Sequence, residues 1–155
     1  MSGNDSGNAP SARLRLRPHV LSDYPACKAL WQHPNTIRFI GGVAQSDQEV
    51  WFRLLRYGGM WALLGYGFWV FEDRNTGEVL GEGGLLNARR DIAGLQDIPE
   101  VGWALMPQAQ GRGLATEAMT TVLDWADGQP RTRFPRHWRT CWYFNAHNLG
   151  VQSSA

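Results

Sequence analysis

The residues with the plainest chemical content are Gln108-Ala109-Gln110-Gly111-Arg112-Gly113, set between the apolar run Val101 to Pro107 and a helical run from Leu114 to Trp125. A strand that stops at a proline, turns through two glycines and enters a helix leaves consecutive backbone N–H groups without intrahelical partners, at the positive end of the helix dipole. Such a turn can receive an anion, a phosphate above all. Gly111 and Gly113 have no β-carbon, so an anion can approach the main chain closely and the turn can use positive φ. The bland alternative for a bare Gly-x-Gly is a tight turn that holds nothing, and the flanks must decide. No Lys-Ser/Thr follows the glycines, which excludes a Walker loop, and Thr116 stands where a dinucleotide fingerprint needs its third glycine.

Periodicity predicts the elements that position this turn. In the strand before it, Glu100, Gly102, Ala104 and Met106 share one face and Val101, Trp103 and Leu105 the other. In the helix after it, Leu114, Ala118, Val122 and Trp125 form an apolar stripe, Glu117, Thr121 and Asp124 face away, and Asp127-Gly128-Gln129-Pro130 ends it. Upstream, Arg13 to Pro18 alternates charged and apolar residues and reads as a half-buried edge strand. Ser22 and Asp23 open a helix that runs to about His33, where Pro34 stops it. Ser46 with Glu49 three residues on is a capping box, and Val50, Trp51, Leu54 and Leu55 mark the buried side of the helix it starts. Tyr66 to Glu72 and Glu78 to Leu86 form a hairpin about the turn Asp73 to Gly77, and Gly81, Gly83 and Gly84 predict a bulge or the close passage of another backbone. After a polar loop from Asn87 to Asp97 and the glycine turn, Trp138 to Phe144 reads as a further strand.

With 155 residues the chain fits one domain, and a formal net charge of +1 argues against a nucleic-acid partner held by bulk electrostatics. Cys27 and Cys141 are the only cysteines; they lack metal-ligand spacing and read as buried small apolar residues in a reducing, cytoplasmic setting. Eight tryptophans imply an aromatic core or an aromatic-walled pocket. Residues Met1 to Ala12, rich in Ser, Gly and Asn, read as a disordered tail ahead of a domain over 13–155. The most apolar run, Met60 to Phe71, is broken by glycines and too short to span a bilayer.

The Gln/Arg-x-x-Gly-x-Gly/Ala pattern of the turn resembles the motif of the GNAT family of N-acetyltransferases. The wider run from Pro99-Glu100-Val101-Gly102-Trp103 through Gly113-Leu114-Ala115-Thr116-Glu117-Ala118 is similar to the ribosomal-protein N-acetyltransferase branch of that family. The resemblance covers about Arg13 to Gln152. It implies an α/β GNAT fold, a mixed but mostly antiparallel sheet flanked by helices, with the acetyl group of acetyl-coenzyme A moved to a primary amine on a protein N-terminus or a small molecule, without a metal. It implies that Leu105, Met106, Gln108, Gln110, Gly111, Arg112, Gly113, Leu114, Ala115, Thr116 and Asn148 bind the cofactor. The main-chain N–H groups of Leu105 and Met106 would face the thioester oxygen, and Arg38, Phe39 and Trp51 would lie near the acceptor. A carboxylate should take the amine's proton: Glu100 first, Glu82 second, His147 third.

The sequence departs from the family pattern where Val151 replaces a usual Ser, and at Ala155, where the family continues into a last strand that commonly carries a tyrosine acid. A domain lacking that end would leave the general acid unassigned and expose a sheet edge suited to a homodimer. The rival class is a non-catalytic acyl-coenzyme A binding or interaction protein.

Overall fold

The structure is a computed structural model and describes residues 7–38, 41–89, 91–94, 96 and 98–129. Its elements are β1 (Ala9–Pro10), β2 (Leu14–Pro18), α1 (Tyr24–Trp31), α2 (Pro34–Ile37), α3 (Asp47–Leu64), β3 (Phe68–Asp73), β4 (Val79–Leu86), β5 (Glu100–Leu105) and α4 (Leu114–Asp127). Among the described residues the strands form one five-stranded sheet in sequence order, antiparallel at each pairing. The expected strand from Trp138 to Phe144 lies outside the described residues.

Local chemistry sets most boundaries. Ser46 Oγ accepts from Glu49 N–H while Glu49 accepts from Ser46 N–H, closing the capping box that starts α3. Gly65, in the left-handed region, ends that helix with its N–H on Trp61 O. In the β3–β4 turn, Asp73 Oδ1 accepts from Asn75 and Thr76 N–H and Gly77 supplies the positive φ. Pro34 does more than stop α1: it occupies the first turn of α2, capped by His33 Nδ1 accepting from Asn35 N–H.

The two faces of the sheet carry different layers. Leu14, Leu16, Trp69 and Phe71 point to the face covered by α4, where Trp125 meets Trp69 edge-on at 5.0 Å. Arg17, Val70, Glu82 and Ala104 line up across β2, β3, β4 and β5 on the other face, covered by α1 and α3. The close passage foreseen at the β4 glycines is real. A β-carbon on Gly81 would sit 2.4 Å from Ala104 O, and one on Gly83 would sit 2.7 Å from Gly102 O. Bare backbone at these positions lets β5 lie against β4.

Two expectations are corrected. Residues 7–12 are not a disordered tail: Ala9 pairs with Leu16 and is 5% exposed, and Trp69 Nε1 donates to Gly7 O at 2.6 Å. Backbone pairing and the buried indole supply the stabilisation that composition did not foretell, and they cover the edge of β2. On α3 the buried residues are Val50, Leu54, Tyr57 and Met60, whereas Trp51 and Leu55 are 38% and 44% exposed. Each lies one residue beyond a buried position, about 100° round the helix. No helix among the described residues is long and apolar enough to cross a membrane.

Candidate active site

The glycine turn takes the expected form. Gly111 and Gly113 both adopt left-handed backbone, with φ of 73° and 74°, and Gly113 is the N-cap of α4. Ahead of them the chain is closed by Ala109 N–H on Met106 O and Gln110 N–H on Pro107 O. The first intrahelical bond is Glu117 N–H on Gly113 O, at 3.1 Å. Between these, the N–H groups of Gly111, Arg112, Gly113, Leu114, Ala115 and Thr116 find no acceptor among the described residues. Gly111, Arg112, Gly113 and Thr116 are exposed. Six consecutive donors at a helix N-terminus form a strip of positive potential suited to a multiply charged anion.

Side chains brace the turn. Gln110 Nε2 donates to Leu105 O at 3.2 Å, and Gln108 Nε2 to Glu78 Oε1 at 3.2 Å, tying the turn to β5 and to the residue before β4. Arg13 reaches across from the residue before β2, its Nη1 on Arg112 O at 2.9 Å. Nothing in the sequence pattern joined Arg13 to this turn.

β5 is the last strand of the described sheet, so its outer side has no partner strand among the described residues. Met106 N–H donates to Leu80 O at 2.8 Å, which sets the alternation of the antiparallel ladder. The main-chain groups of Val101, Trp103 and Leu105 therefore point away from β4. Of the two N–H groups expected near a thioester oxygen, Leu105's lies on the open side, while Met106's is committed to Leu80.

The candidate carboxylates separate by environment. Glu100, at the head of β5 opposite Leu86, is half-buried. Glu82 is 2% exposed and lies on the same face of the sheet, four residues along the register, roughly 13 Å away. Its Oε1 accepts from Trp31 Nε1 at 2.7 Å and from Tyr57 OH at 2.5 Å; its Oε2 meets His19 Nε2 at 3.0 Å and Cys27 Sγ at 3.7 Å. Burial alone would raise its pKa, yet the hydrogen bonds of His19 and Tyr57 and the nearby Arg53 hold it below its ordinary value. Burial and the Glu82 charge in turn push the Tyr57 hydroxyl and the Cys27 thiol upward. Ligand atoms of His19, Cys27 and Glu82 lie within 4.8 Å of one another, but each is already engaged in this hydrogen-bonded cluster. Both oxygens of Glu82 thus already accept hydrogen bonds, and its lowered pKa makes it less basic than an ordinary glutamate. The sequence could not show this, because the donors come from the residue after β2, from α1 and from α3.

Of the expected acceptor-side residues, Arg38 is exposed at the C-cap of α2, and Trp51 stands on α3 with its ring edge-on to Tyr24 at 5.4 Å. α1 and α3 are held together at Asp47, which accepts from Lys28 and Gln32 and receives Tyr24 OH on its carbonyl. Phe39, His147 and Asn148 lie outside the described residues, as do Cys141 and Val151.

Known proteins share this fold. A solved structure described as a GNAT-family acetyltransferase from Bordetella pertussis is 32% identical to this chain, with a TM-score of 0.69 over 77% of this chain and 72% of the other. An acetyltransferase from Agrobacterium tumefaciens is 27% identical, with a TM-score of 0.65 over 78% of this chain and 67% of its own. The fold is shared, at 18% identity and a TM-score of 0.57, by the ribosomal-protein-S5-alanine acetyltransferase of Vibrio fischeri, over 76% of this chain and 66% of that one. The model of the acetyltransferase (GNAT) domain matches residues 13–154, and with a glycine turn of the family's form at the head of α4, this chain belongs to the GNAT acetyltransferase family.

Proposed function

We propose that this protein is an N-acetyltransferase that moves the acetyl group of acetyl-coenzyme A to a primary amine. The observation that carries the reading is the run of open amides from Gly111 to Thr116 beside the unpartnered edge of β5. The diphosphate of the cofactor lies on those amides. Its pantetheine arm runs along β5 as an added strand would, bonded to the outward main-chain groups of Val101 and Trp103. Asn148 contacts the same arm.

This places the thioester near Leu105, whose outward N–H meets the carbonyl oxygen as it gains charge. The amine nitrogen attacks the carbonyl carbon, the carbon–sulfur bond breaks, and coenzyme A leaves as the thiol. An alkylamine is mostly protonated at neutral pH, so it must first lose a proton. Glu100, half-buried at the head of the same strand and about 16 Å from Leu105 along it, takes that proton through intervening water. Glu82 is unsuited to this step because its oxygens are already occupied. Arg38, Phe39 and Trp51 form part of the acceptor wall. A protein N-terminus fits this chemistry, its amine being less basic than that of lysine.

The test joins two measurements on the full chain. Coenzyme A is titrated calorimetrically, and thiol release from acetyl-coenzyme A is followed with a panel of primary amines and N-terminal peptides. Binding with amine-dependent release supports the reading; binding without release above background identifies a non-catalytic acyl-coenzyme A binder instead. In Gly111→Asp, a carboxylate stands against the diphosphate in a position where a β-carbon meets nothing within 4 Å. Affinity should fall at least tenfold, with stability reduced by only about 1–2 kcal/mol from the left-handed backbone. Unchanged affinity in that variant removes the diphosphate from the turn.

A further inference from the structure

Arg13 makes a set of contacts that the reaction outlined above does not use. Its Nε donates to Glu117 Oε2 at 2.7 Å, its own backbone N–H to Glu117 Oε1 at 2.7 Å, and its Nη1 to Arg112 O at 2.9 Å. Ser11 Oγ adds a third bond to the Glu117 carboxylate, at Oε1 and 2.7 Å. The segment carrying both residues is itself fixed, because Arg74 donates from Nη1 to Ser11 O and from its backbone N–H to Arg13 O. Together these tie β2 to a turn about a hundred residues away in sequence, at the point where six amides stand open.

We propose that Arg13 is a positioning residue that holds the glycine turn in its anion-receiving form. This inference rests on the reading of the turn as the diphosphate site. Two effects combine. The peptide between Arg112 and Gly113 is planar and trans, so its carbonyl and its N–H point in opposite directions. Arg13 holds the carbonyl; the Gly113 N–H must then face away from the guanidinium, on the side left for the ligand. Glycine on both sides of Arg112 makes this peptide easy to rotate, and without a clamp the carbonyl oxygen could turn toward an incoming phosphate and repel it.

The second effect concerns charge. Glu117 lies in the first turn of α4, close to where an anion would bind. Three donors occupy its oxygens and turn the carboxylate toward β2, with Arg13 supplying the compensating charge. Although partial burial raises its pKa, the bonds from Ser11 and Arg13 keep it below the ordinary value, so it stays ionised and paired. The Arg13 side chain is 48% exposed, so the clamp is accessible to substitution without opening a buried cavity.

The test compares acetyl-coenzyme A with acetyl-pantetheine, which carries the same thioester and arm but no diphosphate. In Arg13→Gln, selectivity for acetyl-coenzyme A over acetyl-pantetheine should fall about tenfold or more, the loss lying in KM rather than kcat, as expected for a charge-assisted contact. Arg13→Lys keeps the charge but cannot bond Glu117 and the Arg112 carbonyl together; it should lose at least about threefold of the same selectivity. A role in stability alone would weaken both donors equally and leave the ratio unmoved. If the unaltered chain binds coenzyme A and both variants keep its selectivity within about twofold, the clamp is overturned while the diphosphate site stands. If the unaltered chain does not bind coenzyme A, the site and the clamp fall together.

Discussion

Glu82 and Glu100 are the same residue type on one face of one sheet, and their surroundings give them different chemistry. Glu82 sits among donors from His19 just after β2, from α1 and from α3, ionised and hydrogen-bonded at both oxygens. Glu100 is half-buried at a strand end, and in the proposed reaction it is the proton acceptor. Replacing Glu100 by Gln should lower kcat by about a hundredfold with coenzyme A affinity unchanged, the size expected for one general base; a wild-type rate across the pH profile would remove it from the mechanism. For Glu82 the consequence is stability. Its folded pKa is depressed, so its contribution is complete above its ordinary value of 4.5 and is lost as pH falls through the folded value. The groups facing it are His19, Cys27, Tyr57 and Trp31, with Arg53 bonded to Tyr57 behind them. Glu82→Gln should cost about 2–4 kcal/mol at neutral pH, because the amide cannot accept from every donor, and should flatten the acid limb of stability. Urea denaturation followed from about pH 7 down to about pH 3 measures both.

Elements built from local signals were legible in the sequence. The Ser46 and Glu49 capping box, the Asp73 to Gly77 turn and the left-handed glycines ahead of α4 each depend on residues within a few positions of one another, so spacing alone reveals them. What depended on rotation about an axis was read less well. Trp51 and Leu55 are apolar and adjacent to buried positions, yet α3 buries only one stripe and leaves them on its shoulder. Contacts distant in sequence were not legible. The Arg13 clamp, the donors around Glu82 and the use of the Met106 amide by Leu80 depend on which strands meet, and no periodic pattern encodes that. The glycines of β4 were read for what they permit, and the structure supplies the partner. Gly81→Ala would force a methyl group against Ala104 O and the Leu105 side chain, and should destabilise by about 1–3 kcal/mol or more. A melting curve equal to that of the unaltered chain would show that β5 can move outward at no cost.

At the scale of the molecule, the N-terminal segment belongs to the fold. β1 covers the edge of β2, Ala9 enters the core, Gly7 O receives the Trp69 indole, and Ser11 reaches α4. Removing residues 1–12 would leave a buried indole N–H without its acceptor and an uncovered strand edge. The expected cost is about 2–4 kcal/mol, seen as a lower urea midpoint in tryptophan fluorescence. An unchanged midpoint would mean that the segment adds nothing to the native state.

The indoles of Trp61, Trp69 and Trp125 meet edge-to-face at 4.8, 5.0 and 5.6 Å, and they come from α3, β3 and α4. Since α3 and α4 cover opposite faces of the sheet, this aromatic knot fastens the two helical layers to each other past the end of the strands. α4 therefore cannot slide without jostling the layer of α1 and α3 on the other face. Should coenzyme A settle at the head of α4, emission from these rings is expected to change, an intrinsic optical gauge with no label attached.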